Sequence, residues 1–521
     1  MAFLPVDGSV STHSNATQKP SSDKSPSSDI ISCLNAIGDK LLTSNSPEWL
    51  DAIKPYNLRI APIPAAMIFP KNEESVSAIV ACASQFPQTR LAPLCGGHSF
   101  ASFGLGGVDG AVVVNMQNFK DMSMLPAVDG AEVVKVGGGV LVRELTLFLI
   151  KNGGLSWPHA RYTEVGVVGS AIGGGFGPSS RLVGTTLDNV VAVNIVLPSG
   201  KLVRATKSEN PDIFFAVLGA GSSFGIIVSI ELRVHKPYAN PVTYIYQWQN
   251  PTLEEATTAF TTFQDFGINS APPELGIRIR LGLPSNMFIQ GLYYGDIKEF
   301  PSIMKPVLSK LPMPTSANIS ASTFAESEAL FTGPLEAAPA EKIHGVTYTR
   351  SLLTFEPLKA SAISSFIARI YDHGQEKRPA GFQIQIFSDL WGGFKSYSSK
   401  MITKSGEYSF PHSQALLLIR SDGVFLNQTT PDAWPKDGIA FTQSFTKPLF
   451  DSIQRPRSYP NYRDSAYSQA EWSTRYYDDQ YSKLQRIKTQ IDPIGMMSAN
   501  PQSILPSSFA QVRHNTSGPS V

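Results

Sequence analysis

The residues best suited to chemistry lie between Leu91 and Met116. A strand-like run there leads into Gly96-Gly97-His98-Ser99, followed by Gly104, Gly106 and Gly107. Closely spaced glycines let backbone N–H groups approach a phosphate, because no Cβ intervenes and positive φ is allowed. A lone Gly-Gly-His reads equally well as a turn with a loop histidine. Two further segments change that balance. VGVVGSAIGGGFGPSSRLVG (165–184) brings Gly166, Gly169, Gly173 and Gly174 in front of a strand pair, and Gly219 to Gly225 again precede a strand, IIVSIELRV (226–234). No helix opens directly after the first loop, so the pattern is not a Rossmann turn and a nicotinamide cofactor fits poorly.

These loops need strands to hold them. From about Ile30 to His235, AAMIFP, TRLAPLCGG, GAVVVNM, EVVKVGGG and VVAVNIVLPSGKLVRA read as strands, the last folded at Pro198-Ser199-Gly200. The spacing predicts helices over 73–86 and 142–153, the second ended by Gly153-Gly154. Beyond Pro237 the texture changes. TYIYQWQ, GIRIRLGL, MFIQGLYYG, GFQIQIFSDL and QALLLIRS read as strands of one sheet, with helices over LEEATTAFTTFQDFG and SAISSFIARIYDHG covering a face. The run from Ser468 to Pro493 places Leu484, Ile487 and Ile491 at helical spacing until Asp-Pro stops it.

Composition narrows the function classes. The 521 residues exceed what one core supports, so at least two domains are expected. Lys+Arg 43 against Asp+Glu 42 leaves a net charge of +1, which gives no electrostatic case for nucleic acid or an acidic membrane. No apolar run approaches the roughly 20 residues that span a bilayer, and no metal-ligand cluster stands out. The first 28 residues are Ser/Thr/Pro-rich, lack the apolar stretch of a signal peptide and read as a disordered tail. Asn15, Asn318, Asn427 and Asn515 head Asn-X-Ser/Thr triplets, a weak signal because such triplets arise by chance.

Three glycine-rich segments in this order resemble the FAD-binding domain of the vanillyl-alcohol-oxidase superfamily, and within it the berberine-bridge-enzyme-like branch. YPNYRDS (459–465) and YYDDQYSKLQRIKTQIDPIGMMSANPQSI (476–504) resemble that branch's closing segment, so the likeness runs from about Ile30 to Ile504. It implies an α+β fold: a two-part, PCMH-type FAD-binding domain with an inserted antiparallel-sheet substrate domain covered by helices. The expected boundaries are a tail at 1–28, the FAD domain at 29–236, the substrate domain at 237–450, its closing segment at 451–506 and a tail at 507–521.

The resemblance also assigns roles. His98 takes the position whose imidazole bonds to the flavin 8α carbon, a link expected to raise the cofactor's potential. Gly96, Gly97, Ser99 and Gly104 in the first loop, Gly166, Gly169, Gly173 and Gly174 in the second, and Gly219 and Gly225 with Ile227 in the third are expected to line FAD, together with Tyr459 and Asn461. Many relatives add a cysteine link; Tyr162 stands in that place and Ser170 replaces the usual histidine, so one covalent bond is expected. Val165 falls at the oxygen gate, as in oxygen-reactive members, with core packing as its alternative role. Cys95 reads as a small buried residue and His159 as structural.

Tyr462 matches the family's candidate base, and Asp389 a carboxylate that partners it in sugar-oxidising members. An ordinary phenol holds its proton too tightly to act at neutral pH, so a second group or the flavin environment must stabilise the phenolate or take the proton onward, and Asp389 is the best candidate in the sequence. The alternatives are ring stacking for Tyr459 and Tyr462 and a turn cap before Gly392-Gly393 for Asp389. Arg420 stands where sugar oxidases carry an amide, and its fixed charge is no substitute. With the absent leader, this favours an oxidase of a small secondary metabolite, polyketide- or alkaloid-like, that passes electrons to O2 and leans intracellular. Cys33 and Cys82 match a disulfide of secreted relatives and point the other way. The two alternatives are an extracellular oligosaccharide oxidase forming a lactone and a flavin-bearing scaffold for a non-redox cyclisation.

Overall fold

The computed structural model describes residues 28–282, 286–336, 344–373, 381–401, 407–425 and 434–507. Residues 1–27 and 508–521 of the expected tails, and Asn15, Asn427 and Asn515, lie outside them. Three sheets organise the described residues, and the mixture is α+β as expected.

The first sheet holds β1 (Lys40–Leu42), β2 (Ala66–Phe69), β3 (Leu91–Leu94) and β4 (Val112–Asn115), in the order β1-β2-β4-β3. β2 and β3 both run parallel to β4, which requires crossovers rather than hairpins. The helix Glu73–Ser84 makes one, with Asn72 capping its start by accepting from the Ser75 N–H at 2.9 Å. The first glycine loop makes the other. Parallel pairing therefore sends that loop back along the sheet before β4 can begin. Cys82 on this helix is disulfide-bonded to Cys33 on the helix Ser28–Ala36.

The second sheet holds β5 (Met122–Val128), β6 (Ala131–Gly137), β7 (Val190–Val196), β8 (Leu202–Ala205) and β9 (Ile226–Arg233), antiparallel in the order β5-β6-β9-β7-β8. The β7–β8 turn closes through Gly200 at φ +79°, with its N–H on the Leu197 carbonyl. Ile68, Val112 and Val114 of the first sheet share one core with Val196, Ile226 and Val228 of the second.

The third sheet is seven-stranded and antiparallel: β10 (Val242–Gln249), β11 (Leu275–Gly282), β12 (Asn286–Tyr293), β13 (Ser316–Ala321), β14 (Val346–Thr354), β15 (Phe382–Leu390) and β16 (Leu417–Phe425), in the order β13-β10-β12-β11-β15-β16-β14. Period-2 alternation sorts its side chains. Ile277, Ile279, Ile289, Ile384, Ile386 and Ile419 face a core covered by the helices Leu253–Asn269, Ala360–His373 and Gly438–Asp451. The first of these is set by a reciprocal cap: Thr252 Oγ1 accepts from the Glu255 N–H at 3.1 Å, and the Glu255 carboxylate accepts from the Thr252 N–H at 2.7 Å. The opposite face turns toward the glycine loops.

The chain then returns to its first half. Tyr476, Tyr477, Leu484 and Ile487 pack against Phe215 and Phe224, while Met496 and Met497 join the core of the first sheet. Two sequence expectations need correction. The helix expected over 468–493 is two, Gln469–Tyr477 and Tyr481–Ile491, broken where Asp478 takes φ +50°. β14 was not among the expected strands: its nine residues are all buried, including Thr347, Thr349, Arg350 and Ser351, so it lacks the alternation that marks a half-exposed strand.

Candidate functional site

A cavity runs between the two smaller sheets and is closed by the C-terminal return. The first loop lines it with Gly96, Gly97, His98, Ser99 and Gly104. Val165, Gly166, Gly169 and Gly173 follow from the second, Gly219, Gly225 and Ile227 from the third, and Tyr459, Asn461 and Tyr462 from the C-terminal return. Gly174 alone of the expected wall residues is set back, at φ +128° against the Tyr459 ring.

The loops meet backbone to backbone. A methyl group at Gly96 would run into the Gly166 amide nitrogen, and one at Gly166 into Cys95 Sγ. Burial pushes that thiol up to about 11, which leaves Cys95 a packing residue as expected. Ser99 Oγ accepts from the Phe103 and Ala101 N–H groups at 3.2 and 3.3 Å, fixing the turn after His98. The His98 ring lies between Tyr56 and Tyr162, with centroids at 4.6 and 5.0 Å. Tyr162 thus sits beside His98.

Tyr459 lines the cavity with a ring that the fold holds in place. Its side chain is 2% exposed, and its hydroxyl accepts from the Phe176 N–H and from Asn461 Nδ2, both at 3.0 Å. Asn461 Nδ2 also donates to the Ser170 carbonyl at 2.8 Å. These two residues tie the return segment to the second glycine loop. His159, buried, pairs with Glu328 at 2.8 Å. Burial works against charging this imidazole, but Glu328 outweighs it and raises its pKa, which fits a structural ion pair.

Tyr462 stands where cavity and sheet meet. Phe100 and Tyr459 contact its ring edge-on at 5.9 and 5.0 Å, and the Arg420 guanidinium lies 4.8 Å from its centroid. Arg161 is also close enough to interact with it electrostatically. Asp389 is engaged elsewhere. Its Oδ1 accepts from Arg278 Nε at 2.9 Å and Arg161 at 3.0 Å, and its Oδ2 from Arg278 at 2.7 Å. Burial alone would raise this carboxyl, but Arg278 and Arg161 outweigh it and hold it below the usual aspartate range. Asp389, expected to take a proton onward from Tyr462, has both carboxylate oxygens engaged by two arginines, and a carboxylate so paired is a poor proton acceptor.

The sequence reading missed those arginines, and Tyr56. The signal was present in GIRIRLG: Arg278 and Arg280 alternate with isoleucines, so both must leave the apolar core together. Cross-strand register then sets Arg278 opposite Asp389, and Arg280 opposite Phe387, which faces Arg420.

Comparison with known proteins follows the same division of the chain. Residues 64–206 match the family model described as FAD binding domain, and residues 458–504 that described as berberine and berberine like. The xylooligosaccharide oxidase of Thermothelomyces thermophilus is 27% identical over 517 residues, covering 97% of this chain and 99% of that protein. The FAD-linked oxidoreductase dpmaF of Metarhizium anisopliae is 29% identical over 488 residues, 91% of this chain and 90% of its own. Among solved structures, a glucooligosaccharide oxidase from Acremonium strictum, described with a 6-S-cysteinyl, 8α-N1-histidyl FAD, superimposes with a TM-score of 0.83 at 26% identity, covering 92% of this chain and 99% of that one. The cavity suits FAD. Its described lining includes no Asp or Glu and includes Arg463, a composition compatible with a pyrophosphate, and at Gly169 no protein atom occupies the space where a Cβ would lie.

Proposed function

We propose, from the premise that the chain is a berberine-bridge-enzyme-like FAD-dependent oxidoreductase, that it oxidises the reducing-end hemiacetal of a saccharide to a lactone. The observation that carries this reading is the inner face of the third sheet. Gln247, Gln290, Gln383 and Gln385, all half-buried, lie on it with Phe288 and Phe387, and Arg420 joins it to Tyr462. A face of amides and aromatic rings suits a polyhydroxylated ligand better than the polyketide- or alkaloid-like metabolite expected from sequence. The oligosaccharide oxidases among the relatives support the same choice.

The three glycine loops and His98 would hold FAD, which would supply the two-electron acceptor at the cavity, with O2 as the final acceptor yielding hydrogen peroxide. The chain's own residues handle the rest. The anomeric C–H bond breaks with loss of hydride, the anomeric O–H gives its proton to the Tyr462 oxygen, and the C=O of the lactone forms. Arg420 and Arg161 face the negative charge that Tyr462 carries while it acts. Asp389 is a positioning residue that keeps Arg161 and Arg278 in place. Val165 lines the cavity as the gate for oxygen. The Cys33–Cys82 bond favours an oxidising compartment, and no helix among the described residues is long and apolar enough to cross a membrane.

The test is oxygen uptake by the purified yellow protein with xylobiose, cellobiose, chitobiose, phenols and benzylic alcohols. Saccharide-dependent peroxide with equimolar lactone or aldonic acid is expected. Turnover of the aromatic compounds alone would overturn the carbohydrate reading.

A further inference from the structure

The inner face of the third sheet carries more positive charge than its own carboxylates neutralise. Three guanidinium groups surround the Phe387 ring: Arg420 at 4.4 Å, Arg278 at 4.8 Å and Arg280 at 5.6 Å from its centroid. Arg161 joins them by sharing Asp389 with Arg278 and stacking on Phe331 at 4.4 Å. Two acidic groups answer these four. Asp389 is taken by Arg278 and Arg161, and Asp422 pairs with Arg420 at 3.0 Å while accepting from Thr349 at 2.9 Å. The nearby Glu328 pairs with His159.

Arg280 is left over. Among the described residues it has no carboxylate partner; it lies 5.2 Å from the Phe288 ring, and burial, followed by the neighbouring Arg278 and Arg420, lowers its pKa. Its Nε is buried without an acceptor, as is Nε of Arg161. Desolvated guanidinium donors without acceptors are costly, and like charges crowded together add to that cost. A neutral sugar can accept from such donors but leaves the excess positive charge unbalanced. A planar anion that accepts two parallel N–H bonds relieves both.

We infer that this face is a subsite for a carboxylate, so that the substrate oxidised beside Tyr462 carries an acid group read by Arg280 with Arg420. The inference deepens the proposed function and rests on its assignment of this face to the substrate. The carboxylate belongs to an acidic saccharide, such as one bearing a uronate; a carboxylated aromatic alcohol shares the chemistry and forms a separate arm of the test.

The holoenzyme is mixed anaerobically with cellobiose, with cellobiouronic acid, and with 4-(hydroxymethyl)benzoate beside neutral benzyl alcohol, and flavin bleaching is followed against concentration. Cellobiouronic acid is expected to half-saturate at roughly tenfold or more below cellobiose, an advantage that shrinks as NaCl rises. Arg280→Gln should raise the half-saturating concentration of the acidic sugar by about 10- to 100-fold, the worth of one charged hydrogen-bonded contact. The same change should affect cellobiose several-fold less, so that the preference for the acidic sugar falls. Arg280→Lys, which keeps the charge without the fork, should retain part of the preference and guards against misfolding of the Gln variant. Equal use of acidic and neutral sugars, indifferent to Arg280, would overturn the carboxylate subsite and leave the carbohydrate reading intact. Arg280-dependent reduction by the benzoate alone would support the subsite and overturn the carbohydrate reading. Failure of both carboxylate-bearing probes would overturn the subsite.

Discussion

Asp389→Asn separates a structural carboxylate from a catalytic one. The wild-type side chain is 1% exposed and accepts three charge-assisted hydrogen bonds, two from Arg278 and one from Arg161. Asparagine keeps the shape but presents one oxygen and an NH2 group to two guanidinium groups. Arg278 loses its bidentate partner, and both cations lose their counter-charge. Removing one member of a buried ion pair costs about 3–5 kcal/mol. Urea unfolding of the holoenzyme, followed by tryptophan fluorescence, should therefore show a markedly lower midpoint. Exchanging Arg278 for Gln as well removes one stranded charge, so the double variant should lose about 0.5–3 kcal/mol less than the sum of the single losses. The pH dependence has a definite sign. The carboxyl is held below its ordinary value of about 3.9, so its contribution is complete above that value and is lost as pH falls through the lower folded value. The Asn variant lacks this component of acid sensitivity. A variant as stable as wild type that nevertheless reduces its flavin hundreds of times more slowly would refute the counter-ion role and return Asp389 to the proton path.

Other perturbations address the cofactor and its cradle. Acid-precipitated wild type should stay yellow, with the FAD mass on the peptide containing Gly96-Gly97-His98 and none on the 155–181 region; His98→Ala should release its flavin. Val165→Leu should slow reoxidation of reduced flavin while sparing anaerobic reduction, whereas equal effects on both half-reactions would indicate packing alone. Gly173→Ala would drive a methyl into Asn461 Oδ1. That overpacking should cost about 1–3 kcal/mol and loosen the return segment, measurable as a lower unfolding midpoint with faster proteolysis near Tyr459.

What could be read from the sequence was what depends on local backbone. The glycine loops were legible because crowding leaves no choice of residue: Gly96 and Gly166 touch through their backbones, and both were expected on the cavity wall. The alternating strands β10, β11, β12 and β15 were legible for the same reason. β14 was not, because a strand buried on both faces loses its alternation, and VTYTRSLLT hides its burial behind polar residues satisfied by partners far away in sequence. Thr349 bonds to Asp422, and Ser351 Oγ accepts from the Tyr459 N–H and donates to the Tyr462 carbonyl. The role of Asp389 depended on a register with β11, more than a hundred residues upstream, which no local pattern encodes. Tyr459 was expected to touch the cofactor from its place in YPNY. Its hydroxyl proves to be committed to the second loop, a fact that only the folded return segment reveals.

Rapid anaerobic mixing of Tyr462→Phe with a saccharide that reduces the wild-type flavin tests most directly whether Tyr462 removes a proton while the substrate loses hydride. Phenylalanine keeps the ring beneath Arg420 and the edge contacts with Phe100 and Tyr459, but deletes the proton acceptor. Acid–base help is worth about 100- to 10,000-fold, so the limiting rate of flavin reduction should fall by that order while the half-saturating concentration changes little. A Phe variant that bleaches its flavin at the wild-type rate would contradict the account and leave Tyr462 a wall of the pocket.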